Sequence, residues 1–195
     1  MKKVFLTLAV VMMAMAANAQ VWMGGSFGFN STKADANAKP ELSYSIAPEI
    51  GYHFAEKWDA AVGFGYSGSY YKEVVSIPFL GDFTNVLTES NFSVEPYIRC
   101  TIAKLGDVGF FVDGGVKYTT GTSKLTVNGE VQGNPAKLST FWAGLQPGVC
   151  FAASDEITFA ARIGSLGYMK NADGSTNIGV NVNNAAFTLG LWWTF

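Results

Sequence analysis

Residues 42–54 read LSYSIAPEIGYHF, and bulky side chains alternate with small or polar ones along the whole stretch. One face of the extended segment carries Leu42, Tyr44, Ile46, Pro48, Ile50, Tyr52 and Phe54, and the other carries Ser43, Ser45, Ala47, Glu49, Gly51 and His53. A period of two is typical of a β-strand whose two faces meet different surroundings. The stretch therefore predicts a strand that is apolar on one side only.

The same alternation recurs along the chain and predicts eight strands. They begin at Val21, Leu42, Trp58, Phe92, Val108, Phe141, Ile157 and Ala185. Short connections at 55–57, 105–107 and 152–155 alternate with long ones at 31–40, 72–90, 120–137 and 169–183. Within the third long connection, Asn128 and Gly129 favour a tight hairpin turn. No segment of comparable strength has the helical period.

Composition narrows the class of protein. The chain is 49% hydrophobic but only 14% charged, which is too few charges for an ordinary soluble surface. Its 13 basic and 15 acidic side chains give no basic excess, so the composition argues against a nucleic-acid partner. A membrane-spanning helix needs roughly 18 or more apolar residues in a row, and no such run follows the first twenty positions.

The two faces of the strands indicate lipid on the outside. The face opposite to the bulky one is rich in Gly, Ser, Thr and Ala, which suits the interior of a narrow barrel. We therefore predict an all-β fold, an eight-stranded antiparallel up-and-down transmembrane β-barrel, with a soluble barrel or sandwich as the alternative. Interfacial aromatic girdles are predicted from Trp22, Tyr52, Trp58, Tyr70, Tyr118 and Trp193. Bulges are predicted at Pro48, Pro96 and Pro147, because proline lacks a backbone donor.

The first nineteen residues have the order of a secretory signal peptide. Lys2 and Lys3 precede an apolar run over 4–16, and Ala17 and Ala19 form a small-x-small cleavage site before Gln20. We expect residues 1–19 to be a cleaved signal peptide and residues 20–195 to be a single barrel domain. An N-terminal membrane anchor is the alternative, and it would need a longer apolar span.

The C-terminus carries a family resemblance. Thr188, Gly190, Trp193 and Phe195 match the polar, glycine, hydrophobic and terminal aromatic positions of the assembly signal of bacterial outer-membrane barrels. With the strand pattern, the chain resembles the small OmpA/OmpX-type barrels of the porin family of Gram-negative outer membranes. The resemblance implies assembly by periplasmic chaperones and the barrel-assembly machinery. It also implies three short periplasmic turns and four longer extracellular loops.

Charged residues on the inward face are predicted to pair across strands. A turn centred on Gly106 sets Arg99 opposite Asp113 and Glu95 opposite Lys117, because paired residues of a hairpin lie equally far along the chain from the centre of its turn. Counted from the short turns, Glu49 and Arg162 lie at about the depth of Arg99. The predicted lumen charge cluster therefore comprises Glu49, Arg99, Asp113, Arg162, Glu95 and Lys117. It is a structural plug on one interpretation and a gate on another.

Catalytic and metal chemistry find little support. His53 is the only histidine, and a turn centred on Glu56 sets it opposite Asp59, but no nucleophile can be assigned beside this pair. One histidine and two separated cysteines make no metal site. We therefore expect no catalytic residues, no metal and no cofactor.

The expected function is non-enzymatic: membrane stabilisation or surface interaction, such as adhesion or ligand binding, through the extracellular loops of a monomer. The loop 72–90 is unusually apolar, which indicates a lid, a binding surface or an extension of the strands. Its contact candidates are Ile77, Phe79, Leu80 and Phe83. The alternative function is a narrow gated channel, or a transporter of small solutes or hydrophobic compounds across the outer membrane. Expected partners are outer-membrane lipid, the assembly factors and an extracellular ligand, but no nucleic acid.

Overall fold

The computed structural model describes residues 20–32, 40–77, 81–182 and 187–195. These residues form eleven β-segments, named in chain order. They are β1 (Val21–Thr32), β2 (Glu41–Ala55), β3 (Trp58–Ile77), β4 (Gly81–Leu105), β5 (Val108–Val127), β6 (Glu130–Val131), β7 (Ala136–Ala152), β8 (Ile157–Ile163), β9 (Ser165–Asn171), β10 (Thr176–Asn181) and β11 (Phe187–Thr194). None of the described residues forms a helix long and apolar enough to cross a membrane.

The segments close into a ring of eight antiparallel positions, as the sequence predicts. Neighbouring positions from β1 to β5 pair in chain order, and β5 pairs with β7. The segments β8 and β9 share the seventh position, and β10 and β11 share the eighth. The ring closes where β11 pairs with β1, from Trp22 opposite Thr194 to Ser26 opposite Gly190. Closure satisfies backbone groups that lipid cannot.

The barrel has two different ends. The short turns at 56–57, 106–107 and 153–156 lie at one end, here called the turn end. Gln20 and Phe195 lie there too, because the Gln20 carbonyl accepts a hydrogen bond from His53 N and Phe195 N donates to the Val21 carbonyl. At the other end, here called the hairpin end, strands continue into three hairpins: β3–β4, β5–β6 and β9–β10.

The outer wall is apolar, with aromatic side chains towards both ends. Trp58, Trp193 and Phe195 are exposed near the turn end. An upper belt runs through Phe29, Tyr44, Tyr66, Phe92, Tyr118 and Phe141, which are exposed and linked by strand register. The girdle prediction is wrong for Trp22, because its side chain is buried inside the barrel. The next residue, Met23, is exposed on the outer wall, and successive side chains of a strand point to opposite faces.

The connection 72–90 extends the strands, so the lid interpretation is wrong for its described residues. Glu73 pairs with Asn85, and the pairing continues to Ile77 opposite Gly81. The connection 120–137 forms a second hairpin, in which Asn128 and Gly129 have φ angles of 50° and 88°. Two positive φ angles match the tight turn that the Asn-Gly pair predicts.

Pro48 and Pro96 are accommodated without bulges, contrary to prediction. Pro48 pairs with Gly25 on one neighbouring strand, and Pro96 pairs with Val62. Towards the other neighbouring strand each proline has no partner, but the register is the same before and after it. A missing N–H interrupts one ladder but does not insert a residue. Register shifts occur instead between His53 and Ala55 and between Thr101 and Ala103. At Pro147 the predicted bulge is confirmed: β7 changes partner there from β9 to β8, and the register shifts by one residue, since Leu145 faces Leu166 but Gly148 faces Arg162.

Candidate functional site

A buried ion pair lies at the centre of the lumen. Arg99 on β4 faces Asp113 on β5 in the strand register. Arg99 Nε donates to Asp113 Oδ1 at 2.6 Å, and Nη2 donates to Oδ2 at 2.7 Å. Both side chains are almost fully buried. A bidentate guanidinium–carboxylate pair has the geometry that a buried charge requires.

Arg162 on β8 connects this pair to Glu49 on β2. Its Nε donates to Asp113 Oδ2 at 2.8 Å, and its Nη1 donates to Glu49 Oε1 at 2.7 Å. The Tyr97 hydroxyl donates to Glu49 Oε2 at 2.6 Å. The structure thus brings together two acids and two bases from four strands. Their charges cancel, which lowers the cost of placing ions inside a membrane protein.

Aromatic rings fill the lumen between this cluster and the turn end. The Arg99 guanidinium carbon lies 3.9 Å from the ring centroid of Phe111 and 4.0 Å from that of Trp192. Trp192 also contacts Trp22, with ring centroids 5.5 Å apart. Stacking a desolvated guanidinium on aromatic faces stabilises it by cation–π attraction. Trp22 and Trp192 were not predicted to contact Arg99. Both lie at inward-facing positions of the alternating pattern, which was the available sequence signal.

Each of these three rings lies on a glycine of a neighbouring strand. A Cβ atom at Gly51 would lie 2.2 Å from the Trp22 indole, one at Gly24 would lie 2.1 Å from Trp192, and one at Gly148 would lie 2.3 Å from Phe111. Such distances leave no room for a side chain. Inward glycines therefore make the space that the aromatic plug occupies.

A polar vestibule lies between the cluster and the hairpin end. Glu95 and Lys117, the other two residues of the predicted cluster, lie one layer above these four, with Lys117 Nζ 3.0 Å from Glu95 Oε2. The cavity has a volume of about 980 Å³, and most of its lining residues are polar or charged, with serine the most frequent. Glu49 and Arg162 also line it. The lumen is therefore a cup that is open towards the hairpin end and filled towards the turn end.

His53 and Asp59 contact each other near the turn end. The contact joins His53 Nδ1 to Asp59 Oδ1, and the two residues are opposed in the β2–β3 register. Across β3–β4, Asp59 in turn faces Arg99. Among the described residues, neither side chain is hydrogen-bonded to a serine or threonine hydroxyl or to a cysteine thiol. Within the described part of the chain, no three His, Cys, Asp or Glu side chains group as metal ligands.

The remaining predicted residues are scattered. Thr188, Gly190 and Trp193 lie on β11, and the Phe195 ring stacks on Trp193 with centroids 5.6 Å apart. Phe83 is half-buried on β4, and Ile77 ends β3. Gln20 precedes β1 at the turn end. Ala17, Ala19, Phe79 and Leu80 lie outside the described residues.

The fold and lumen define a class: a closed β-barrel with an apolar outer wall and an interior that its own side chains fill towards the turn end. The chain belongs to the family described as outer membrane protein beta-barrel domain, whose model matches residues 4–195. Membership places the protein in the outer membrane. No curated protein matches the chain.

The chain is similar to several solved structures. Neisserial surface protein A is 13% identical, with 91% of this chain and 97% of that chain covered and a TM-score of 0.47. The N-terminal barrel domain of OprF from Pseudomonas aeruginosa is 13% identical, with coverage of 90% and 98% and a TM-score of 0.44. Ail from Yersinia pestis is 15% identical, with 90% of this chain covered and a TM-score of 0.39.

Proposed function

We propose that the protein is a non-enzymatic, non-conducting outer-membrane barrel that acts at the cell surface through its hairpins. In this proposal the hairpin end lies outside the cell and the turn end lies in the periplasm. The barrel stabilises the membrane as a monomer and presents its hairpins for contact. Residues 1–19 direct export and are removed before Gln20. Chaperones and the barrel-assembly machinery recognise the last strand through Thr188, Gly190, Trp193 and Phe195.

The filled lumen is the observation that carries this proposal. Arg99, Asp113, Arg162 and Glu49 are joined by hydrogen bonds of 2.6–3.1 Å, and Phe111 and Trp192 close on Arg99 from the turn end. An eight-stranded barrel is only wide enough for its own side chains. Transport through such a lumen would require breaking several buried charge contacts at once. The hairpins are therefore the better candidates for function.

The β3–β4 hairpin supports a role in surface contact because it exposes the apolar Val74 beside the polar residues Glu73 and Thr88. Val74 is exposed on β3, and Leu125 is exposed on the adjoining part of β5. Asn128 Oδ1 accepts a hydrogen bond from Thr84 N at 2.8 Å, which joins the β5–β6 hairpin to the β3–β4 hairpin. Together the two hairpins form one extended sheet above the upper belt, with Val74 exposed on one face and Leu125 on the other. Exposed apolar surface of this kind is typical of interaction sites.

Shortening the β3–β4 hairpin is expected to remove adhesion to apolar surfaces and to leave the barrel folded. The variant replaces residues 74–84 by Asn-Gly, so that the paired residues Glu73 and Asn85 flank a tight turn. Adhesion of expressing cells to hexadecane droplets is the measurement, and heat-modifiable migration of the protein checks the fold.

A second variant separates the apolar chemistry from the length of the hairpin. Val74→Thr combined with Leu125→Thr places a β-branched residue at both positions, which suits a strand, and makes these two exposed side chains polar. We expect this variant to lose adhesion as well. Adhesion equal to that of the unaltered protein in both variants would contradict the proposed role of the hairpins.

A further inference from the structure

On one side of the barrel, backbone pairing between β1 and the eighth position stops part of the way along the strand. β1 pairs with β2 along its whole length from Val21 to Thr32, but it pairs with β11 only as far as Ser26. Beyond that point, the described residues of β1 have no backbone pair with β11 or β10. The partner of β10 is β9. The two diverging edges are here called the seam.

The seam opens at the depth of the membrane. Phe29 lies on the unpaired part of β1 and faces Tyr44 in the upper belt. The parting therefore begins below that belt, within the apolar band of the wall. Unpaired backbone groups in hydrocarbon are strongly unfavourable unless they line a polar cavity or find another polar partner. From Phe27 to Phe29, the side of β1 that faces away from β2 has no strand partner. The backbone groups on that side therefore require other polar groups beside them.

An apolar groove lies on the outside of the seam. It has a volume of about 720 Å³ and is lined by Phe27, Val149, Phe159, Ala161, Leu189 and Leu191, among other residues. The outward side chains along the two diverging edges are among the most exposed of the protein: Phe27 is 73% exposed, Ile178 79% and Val180 70%. The groove belongs to the lipid-facing wall, so hydrocarbon is its natural content.

The polar vestibule lies on the inside of the seam. Ser26, at the last β1–β11 pair, lines both the groove and the vestibule. The charged side chains lining the vestibule are three acids and three bases: Glu49, Glu95, Asp173, Lys117, Lys137 and Arg162. Ser175 donates two hydrogen bonds to Asp173 and holds the pKa of Asp173 below its ordinary value. With all six groups charged the balance is zero, which suits an uncharged or zwitterionic guest.

We propose that the seam binds a membrane amphiphile, with its hydrocarbon chain in the outer groove and its uncharged or zwitterionic head in the vestibule. The head supplies polar partners to the unpaired part of β1. The filled half of the lumen stops the guest from crossing to the turn end, so the site binds rather than transports. This inference rests on the location of the protein in the outer membrane and not on the proposed role of the hairpins.

Photo-cross-linking of the full-length protein in phosphatidylcholine vesicles tests the site. The probes are two palmitoyl lysophosphatidylcholines, one with a diazirine in the head and one with a diazirine at the end of the chain. We expect the head probe to label inward residues beside the seam, such as Ser26, Ser45 and Ser165. The chain probe is expected to label Phe159, Leu189 and Leu191. Labelled residues are identified by mass spectrometry.

A filled groove provides the matched variant. Ala161→Phe is expected to lower labelling at these sites severalfold, whereas Ala60→Phe on the opposite part of the wall leaves it unchanged. Head-probe labels confined to outward side chains would overturn the proposal, as would equal labelling in the two variants. Covalent dimers joined through β1 and β10 would also overturn it, because they would make the seam a strand-pairing site. If Ala161→Phe does not fold, the labels on the unaltered protein decide.

Discussion

Replacing Arg99 by methionine is expected to lower the free energy of unfolding by about 3–5 kcal/mol, the usual cost of removing one partner from a buried ion pair. Methionine keeps much of the side-chain volume but leaves the Asp113 carboxylate, 2.6 Å from Arg99 Nε, with Arg162 as its one remaining cation in the cluster. It also removes the cation that lies between Phe111 and Trp192. Urea unfolding in lipid vesicles, followed by tryptophan fluorescence and heat-modifiable migration, measures the change.

Lys117→Met is the matched control for this prediction. Lys117 also pairs with an acid in the lumen, but its side chain is 38% exposed in the open vestibule. An exposed pair contributes about 0–1 kcal/mol, so this variant should lose little stability. The double variant Arg99→Met, Asp113→Leu should recover part of the loss, because Arg162 keeps Glu49 as its partner. Equal losses in Arg99→Met and Lys117→Met would show that burial of the cluster contributes nothing.

Replacing Gly51 by valine is expected to destabilise the barrel by about 1–3 kcal/mol or to prevent its closure, because the new side chain overpacks the lumen. The Cβ atom alone would lie 2.2 Å from the Trp22 indole. Trp22 has little freedom to move aside, since it is 2% exposed and packs against Trp192. The fraction of protein that refolds into vesicles, and its urea midpoint, report the effect.

Gly63→Ala is the control, at another inward glycine. A Cβ atom at Gly63 would lie 3.5 Å from Glu49 Cγ, which is ordinary van der Waals contact. Alanine there should leave the barrel as stable as before or slightly more so, because it restricts the unfolded chain. If Gly51→Val were tolerated as well as Gly63→Ala, the aromatic plug would not depend on its glycine sockets.

Most of the barrel could be predicted because alternation is a local property of the sequence. The run 42–54 separates its two faces, and similar runs give the number of strands and the three short turns. The register of Arg99 and Asp113 also follows from the sequence, although for a partly different reason. The predicted turn has three residues, but the observed turn has only two, Gly106 and Asp107. The one-residue register shift between Thr101 and Ala103 compensates for this difference, so Arg99 still faces Asp113.

Other features depend on distant parts of the chain and could not be predicted. The extent of β3 and β4 beyond the upper belt depends on their pairing with each other and with β5, since their sequence reads equally well as an apolar loop. The role of Trp192 depends on which strand brings a cation beneath its ring. The seam arises because pairing between β1 and β11 ends at Ser26, and no local pattern in either strand marks that point.

The central claim is that the lumen is closed, and single-channel conductance tests it most directly. Protein purified from outer membranes and confirmed as folded by heat-modifiable migration is inserted into a planar bilayer, with Arg99→Ala alongside. If the lumen is closed, we expect a folded barrel without discrete conductance steps. Discrete steps in the unaltered protein would contradict it, and steps that change size in Arg99→Ala would place an ion path through the charge cluster.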